Sequence, residues 1–188
     1  MATQPKTTGL VSEDLQQFPD DNFRREIIDG ELIATPAPST RHQGVMVKLS
    51  ARLFAWVEEH GGQVFVAPTD VWLSGSNVVE PDVLFVRPEN LGRVERSYVR
   101  STPDVVVEVS SPSTRRLEIV RKRDLYERFR VPEYWYVDLD AERVEVFRLG
   151  AEGYGHPLLL GRRDRLQSPQ VPGFALDVDD LLGPADAG

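Results

Sequence analysis

The sequence contains no cysteine. This absence excludes disulfides, thiolate metal sites and a cysteine nucleophile, and it fits a reducing cytoplasm. The chain also lacks an apolar run of roughly 18 residues, the length that a membrane-spanning helix needs. Its first residues lack the apolar segment of a secretory signal. We therefore expect a soluble cytoplasmic protein with no membrane partner.

Positive charge is also scarce, since 22 basic residues face 30 acidic ones and the formal net charge is -8. This balance argues against a protein coated with basic surface for nonspecific nucleic-acid binding. Residues 114–130 are the exception, with seven basic and three acidic side chains. A basic helix beside an acidic site can hold a phosphodiester backbone, but a solvated helix face explains the same pattern.

The order of predicted elements gives the fold class. A hairpin turns at Asp29-Gly30, an amphipathic helix follows over 41–60, and the basic helix spans 115–129. Strands are predicted at 63–67, 70–73, 78–86, 104–109, 133–137, 143–149 and 154–160. This order predicts an α/β (α+β) fold with a mixed sheet flanked by helices. We expect a single domain over 11–183, with flexible tails at 1–10 and 184–188.

Two short apolar runs, 78–86 and 104–109, carry carboxylates where a core strand should have none. By strand alternation these acids share one face in each run: Glu80 and Asp82 in the first, Asp104 and Glu108 in the second. A buried carboxylate stays ionised when it is paired, hydrogen-bonded or bound to a metal. Adjacent strands that direct acids to one point predict a site for a hard cation.

A lysine occupies the apolar stripe of the basic helix. At about 100° per residue the apolar side chains cover an arc of roughly 120°, and Lys122 falls inside it. The stripe consists of Ile119, Leu125, Tyr126 and Phe129. A structural explanation is that the lysine extends along the apolar surface and pairs with Glu118. The functional explanation is a catalytic lysine beside an acid-bearing strand, and the pattern leaves both open.

An ordered set of segments resembles one family. The set comprises residues 26–32, the helix start at His42-Gln43, residues 80–83, residues 104–113, Lys122–Tyr126 and residues 131–138. It is similar to the Uma-type restriction endonuclease family, within the PD-(D/E)XK nuclease superfamily. The resemblance spans most of the chain. It implies a restriction-endonuclease-like core that hydrolyses DNA.

The resemblance also implies roles for individual residues. Asp82 and Glu108 would be the ligands of Mg²⁺ or Mn²⁺. Ser110 stands where the superfamily has the lysine of its E-x-K motif, and Lys122 matches a position in the following helix to which that lysine has moved in the family. A second departure is Arg130, where the family usually ends this helix with glycine.

The leading hypothesis is therefore a metal-dependent endonuclease with a catalytic set of Asp82, Glu108, Lys122 and Glu31. Glu26 is the less favoured alternative to Glu31. His42 is more ordinarily a helix cap or a surface residue, so we leave it outside the set. If Asp82 and Glu108 repel each other without a bound cation, neutralising either one should leave the melting temperature unchanged or raise it.

Other functions fit the sequence less well. The main alternative is a catalytically inactive nuclease-fold protein that acts as a DNA-binding or interaction module. A serine hydrolase is disfavoured because Ser110, Ser111 and Ser113 lie in no Gly-x-Ser-x-Gly turn and the chain has three histidines in no triad context. The apolar segment 158–160, and the need to cut two DNA strands, predict a homodimer with two-fold symmetry.

Overall fold

The structure is a computed structural model that describes residues 8–19, 23–35, 37–110 and 117–184. Parts of the sequence predictions lie outside the described residues. They are the tail residues 1–7 and 185–188, Ser111, Ser113, Arg115, Arg116 and the side chains of Glu118 and Ile119. Within the described ranges no helix is long and apolar enough to cross a membrane.

In the described part of the chain, the first sheet has five strands in the order β2-β1-β5-β4-β7. Their bounds are β1 Arg24–Ile28, β2 Glu31–Thr35, β4 Asp70–Ser74, β5 Asn77–Val79 and β7 Tyr98–Arg100. The predicted hairpin at Asp29-Gly30 is confirmed, since Ile28 pairs with Glu31. Asp29 and Gly30 have φ values of 52° and 75°, the left-handed backbone that a two-residue hairpin turn needs.

The second sheet has seven strands among the described residues, in the order β11-β10-β9-β8-β6-β3 with β12 also paired to β10. Its strands are β3 Gln63–Val66, β6 Val83–Val86, β8 Val105–Val109, β9 Glu133–Asp138, β10 Arg143–Gly150, β11 Gly153–Tyr154 and β12 Leu158–Gly161. Strands β8 and β9 are parallel, while β6 and β8 are antiparallel. The predicted mixed sheet is confirmed.

The remaining elements are helices and a small hairpin. Among the described residues the helices are α1 Thr40–His60, α2 Arg123–Arg128, α3 Val178–Leu182, a π-helical turn Leu117–Lys122 and two 3-10 helices, Ser12–Gln17 and Pro88–Arg93. The hairpin joins β13 Arg165–Ser168 to β14 Val171–Asp177. The π-helical turn and α2 form the connection between the parallel strands β8 and β9. Such a crossover places its helix on a face of the sheet.

The two faces of β8 belong to different cores. Val105, Val107 and Val109 pack in the core that includes Leu49 of α1. Val106 packs in the second core, which joins the first sheet and α2 to the opposite face. Because side chains alternate along a strand, Glu108 shares the face of Val106. The sheet therefore directs this acid into the space under α2 and the first sheet.

The predicted strand 78–86 is wrong as a single strand. Its first part is β5 in the first sheet, its second part is β6 in the second sheet, and Glu80-Pro81-Asp82 is the link between them. Pro81 has no N–H to donate to a ladder, so the pairing is interrupted there. Alternation therefore does not relate Glu80 to Asp82, and their positions depend on the path of the chain between the sheets.

Other sequence assignments also change. Residues 87–103 form the 3-10 helix Pro88–Arg93 and strand β7 instead of an irregular connection. The predicted strand 154–160 is divided into β11 and β12. Strands β13 and β14 and helix α3 were not predicted. Most of these segments are short and carry too few periods for a pattern to be recognised. The longer β14 contains Pro172-Gly173, a pair typical of turns.

Helix α2 ends at an arginine with left-handed backbone. Arg130 has φ of 60°, its N–H donates to the Glu127 carbonyl at 2.9 Å, and the Val131 N–H donates to the Tyr126 carbonyl at 2.9 Å. This is a Schellman motif, whose left-handed position glycine occupies without strain.

We expect Arg130→Gly to raise the free energy of unfolding by about 0.5 to 1 kcal/mol, because it relieves left-handed strain at the helix end. Arg128→Gly, two residues earlier within α2, should lower it by about 1 kcal/mol. Urea unfolding of both variants measures the two effects. Equal destabilisation by both would show that the arginine backbone is not strained.

Candidate active site

Antiparallel pairing brings Asp82 and Glu108 together. Val83 of β6 pairs with Val107 of β8, so the next position of the same register sets Asp82 opposite Glu108. Opposed residues of an antiparallel pair place their side chains on the same face. Asp82 Oδ2 also accepts a hydrogen bond from the Val109 backbone N–H at 2.7 Å. Both acids are buried, with at most 1% of either residue exposed.

Lys122 reaches the same point from the crossover connection. Its Nζ lies 2.9 Å from Glu108 Oε1 and 2.8 Å from Glu26 Oε1, and the residue is 1% exposed. Tyr126, one helical turn later, donates its hydroxyl proton to Glu108 Oε1 at 2.6 Å. The core-facing position predicted for Lys122 is confirmed. The lysine ammonium is held between two carboxylates.

Asp82 has two cationic or potentially cationic neighbours. Arg24 of β1 donates from Nη1 to Asp82 Oδ1 at 2.8 Å and to the Glu80 carbonyl at 2.8 Å. His42 Nε2, in the first turn of α1, lies 3.0 Å from Asp82 Oδ2. Strand β1 and helix α1 therefore hold this carboxylate from two sides.

The surroundings shift the pKa values of these acids in opposite directions. Complete burial raises the pKa of the Glu108 carboxyl to about 7; the Lys122 charge opposes this shift, and the Asp82 charge adds to it. Burial and the nearby Glu26 carboxylate raise the pKa of Glu80 to about 7. Burial alone would raise the pKa of Asp82, but the hydrogen bond with His42 and the charge of Arg24 outweigh it and lower that pKa. Asp82 is therefore ionised at neutral pH, while Glu108 titrates there.

Two of the predicted acids lie elsewhere. Glu31 is exposed at the turn end of the hairpin, where it pairs with Arg121 at 2.9 Å. Asp104 accepts hydrogen bonds from the Arg87 N–H and from Asn90 Nδ2, at 2.8 and 2.7 Å, and so ties the loop after β6 to the start of β8. Glu26, the less favoured alternative to Glu31 in the sequence analysis, lies in the middle of β1 and contacts Lys122. Both glutamates satisfy the same alternation, but Glu31 lies closer to the turn and to solvent.

Three residues of the cluster were outside the predicted set. His42 lies at helical spacing before the buried Val45, Met46 and Leu49, so the periodicity of α1 contained the signal for its burial. Tyr126 was placed on the apolar stripe, four residues after Lys122, but without a role. Arg24 lies two residues before Glu26 on the same face of β1, but strand alternation alone does not distinguish it from an ordinary exposed arginine.

The described arginines of the basic helix are paired with acids. Arg121 contacts Glu31, Arg123 contacts Asp124 and Glu127, and Arg128 contacts Asp29. These pairs are largely exposed and individually weak. They nevertheless reduce the positive field of the helix, which favours the solvated-face interpretation over a phosphate-binding stripe.

The donor atoms of the cluster fit a hard divalent cation. Glu108 Oε2 is buried and, among the described residues, has no hydrogen-bond partner. Asp82 supplies a second carboxylate, and carboxylate oxygens are the protein ligands that Mg²⁺ prefers. Within the described ranges no group of three or more His, Cys, Asp or Glu residues is arranged around one metal position. Mg²⁺ usually binds one or two carboxylates and completes its shell with water and phosphate, so two acids suffice.

Comparisons with known proteins give the family and the fold. Residues 12–179 match the model of a family described as "Uma2: Putative restriction endonuclease". Five chains of solved structures match the protein. One is described as "a putative nuclease belonging to DUF820 from Anabaena variabilis ATCC 29413"; it is 17% identical, with a TM-score of 0.77, and the match covers 92% of this chain and 97% of that chain.

At that identity the structural likeness establishes the fold, and the predicted restriction-endonuclease-like core is confirmed. No curated protein matches the chain. The family match covers nearly the whole chain, in agreement with the resemblance seen in its ordered motifs. The protein belongs to the Uma2 family, whose description is "Putative restriction endonuclease".

Proposed function

We propose that the protein is an endonuclease that hydrolyses DNA phosphodiester bonds at the cluster of Asp82, Glu108 and Lys122, with Mg²⁺ or Mn²⁺ held by the two acids. The observation that carries this proposal is the position of Lys122, whose Nζ lies 2.9 Å from Glu108 on the strand opposite Asp82. Family membership and fold support a nuclease. Two acids and a lysine provide the cation site and the fixed positive charge that phosphodiester hydrolysis uses.

The side chains of the cluster have different roles. Glu26 and Glu108 fix the Lys122 ammonium, whose N–H groups would orient the attacking water or stabilise charge on the phosphoryl oxygens. Burial raises the pKa of Tyr126 well above its usual value, so its hydroxyl stays protonated and holds Glu108 Oε1. When bound, the divalent cation supplies charge neutralisation and lowers the pKa of a water molecule. In hydrolysis the water oxygen bonds to phosphorus and gives up one proton, the bond from phosphorus to the leaving oxygen breaks, and the leaving oxygen takes up one proton.

A plasmid-nicking assay with matched variants tests the proposal. The parent protein should nick supercoiled DNA with Mg²⁺ or Mn²⁺ and stop when EDTA is added. Glu108→Gln should lose roughly 100-fold or more of the rate. Glu31→Gln is the control and should keep the rate, because Glu31 is exposed and paired with Arg121.

A folded parent protein that neither binds Mn²⁺ in calorimetry nor cuts DNA would contradict the proposal that the protein is an endonuclease. That result would favour the inactive nuclease-fold module.

We also propose a homodimer. Leu158 and Leu159 are 46% and 53% exposed on β12, while Leu160 is buried in the core. Strand β12 pairs with β10 within the described part of the chain, and an apolar edge of this kind suits a second copy. Light scattering at tens of micromolar should give twice the monomer mass, and a monomer would remove this proposal.

A further inference from the structure

Both oxygens of Asp82 have hydrogen-bond partners within the protein. Arg24 Nη1 lies 2.8 Å from Oδ1, while His42 Nε2 and the Val109 N–H lie 3.0 and 2.7 Å from Oδ2. A divalent cation bound by Asp82 also needs one of these oxygens. A cation on Oδ1 would lie next to the guanidinium, and like charges at that distance repel. Arg24 and the cation therefore compete for the same carboxylate.

Arg24 forms the solvent side of this network. Its side chain is 17% exposed, whereas that of Asp82 is 1% exposed. Both hydrogen bonds that it donates within the described ranges use Nη1, to Asp82 and to the Glu80 carbonyl. A guanidinium has five N–H donors in a fixed fork, and this fork matches the oxygens of a phosphate. Arg24 can therefore exchange a carboxylate for a phosphate without losing charge-assisted hydrogen bonds.

We propose that Arg24 is a positioning residue that occupies Asp82 until a divalent cation binds and then contacts a phosphate of the DNA backbone. The inference rests on the proposed nuclease function and adds to it a coupling between the two ligands. A cation displaces Arg24 from Asp82, and a phosphate receives the displaced side chain. Each ligand therefore increases the affinity for the other, by the same factor. The contact is to the backbone, so it is independent of base sequence.

The test measures each ligand alone. Calorimetry with Mn²⁺ and no DNA should show about tenfold tighter binding by Arg24→Gln than by the parent protein, because the competing charge is gone. Binding of a short duplex in Ca²⁺ should weaken about tenfold in the same variant, and its salt dependence should correspond to about one phosphate contact fewer. Arg25→Gln is the matched control, since Arg25 bonds the Pro19 and Phe23 carbonyls, and it should change neither affinity.

Weaker or unchanged Mn²⁺ binding by Arg24→Gln would overturn the inference, since Arg24 would then support Asp82 for the cation. Should this variant fail to fold, Arg24→Lys keeps the charge but not the fork. It should hold Mn²⁺ affinity within about threefold of the parent while duplex affinity falls, and unchanged duplex affinity would overturn the phosphate contact.

Failure of the inference and failure of the proposed function give different results. If the parent protein cuts DNA with Mn²⁺ but Arg24→Gln binds Mn²⁺ no tighter, the inference about Arg24 is wrong and the nuclease proposal stands. If neither protein binds Mn²⁺ or cuts DNA, the nuclease assignment is wrong and the inference is wrong with it.

Discussion

Replacing Lys122 by methionine is expected to abolish DNA cleavage and, without divalent cations, to lower the free energy of unfolding by about 3 to 5 kcal/mol. The lysine is 1% exposed and its Nζ contacts both Glu26 and Glu108. Methionine fills a similar volume without the charge, so two buried carboxylates would face each other unpaired. Urea unfolding at pH 8 measures the effect. Without the Lys122 charge the pKa of Glu108 rises further, so this carboxyl either stays ionised without a counterion or takes up a proton at a pH where the unfolded chain is ionised.

Two further variants make this measurement specific. Lys48→Met, on the exposed side of α1, should change stability by about 0.5 kcal/mol or less and should keep cleavage activity. Adding Glu108→Gln to Lys122→Met should recover part of the lost stability, because one of the unpaired charges is removed. If Lys122→Met is as stable as the parent protein, the three side chains are not an ionised network.

Asp82→Asn is expected to abolish cation binding and cleavage and to lower the free energy of unfolding by about 3 kcal/mol. The carboxylate accepts hydrogen bonds from Arg24 and the Val109 N–H and lies 3.0 Å from His42. An asparagine has one acceptor oxygen, and its NH₂ group would face a donor. Calorimetry with Mn²⁺, thermal melts and the nicking assay measure the three effects.

The control is Asp29→Asn in the hairpin turn. Asp29 is exposed, and asparagine tolerates the φ of 52° found there, so stability should stay within about 0.5 kcal/mol. The sequence analysis expected an unchanged or higher melting temperature for Asp82→Asn, because it assumed two acids that repel without compensation. In the structure Arg24 compensates the charge of Asp82, so Asp82→Asn is now expected to lower the melting temperature. A variant that melts at or above the parent temperature would show that repulsion dominates after all.

The sequence by itself determined the features that depend on local periodicity. The 3.6-residue repeat identified α1 and, across the π-helical turn and α2, the inward position of Lys122. The Asp29-Gly30 pair identified the first hairpin. These patterns depend on residues that are close in sequence. Runs of β-branched residues likewise located β8 and, within the longer predicted strand 78–86, β6; both strands are fully buried. The fold class followed from the order of these elements, and the ordered motifs identified the family.

The tertiary structure alone decided which polar side chains join the cluster. Arg24 and Asp82 are 58 residues apart in sequence, and no local pattern links them. Glu26 and Glu31 lie on the same face of the β1–β2 hairpin. Which of them contacts Lys122 depended on where the crossover connection places Lys122 along β1. The break at Pro81 moved the chain from one sheet to the other and placed Asp82 opposite Glu108. Local sequence fixes which face a side chain takes, but contact between distant segments depends on how whole sheets pack, and that is a property of the entire chain.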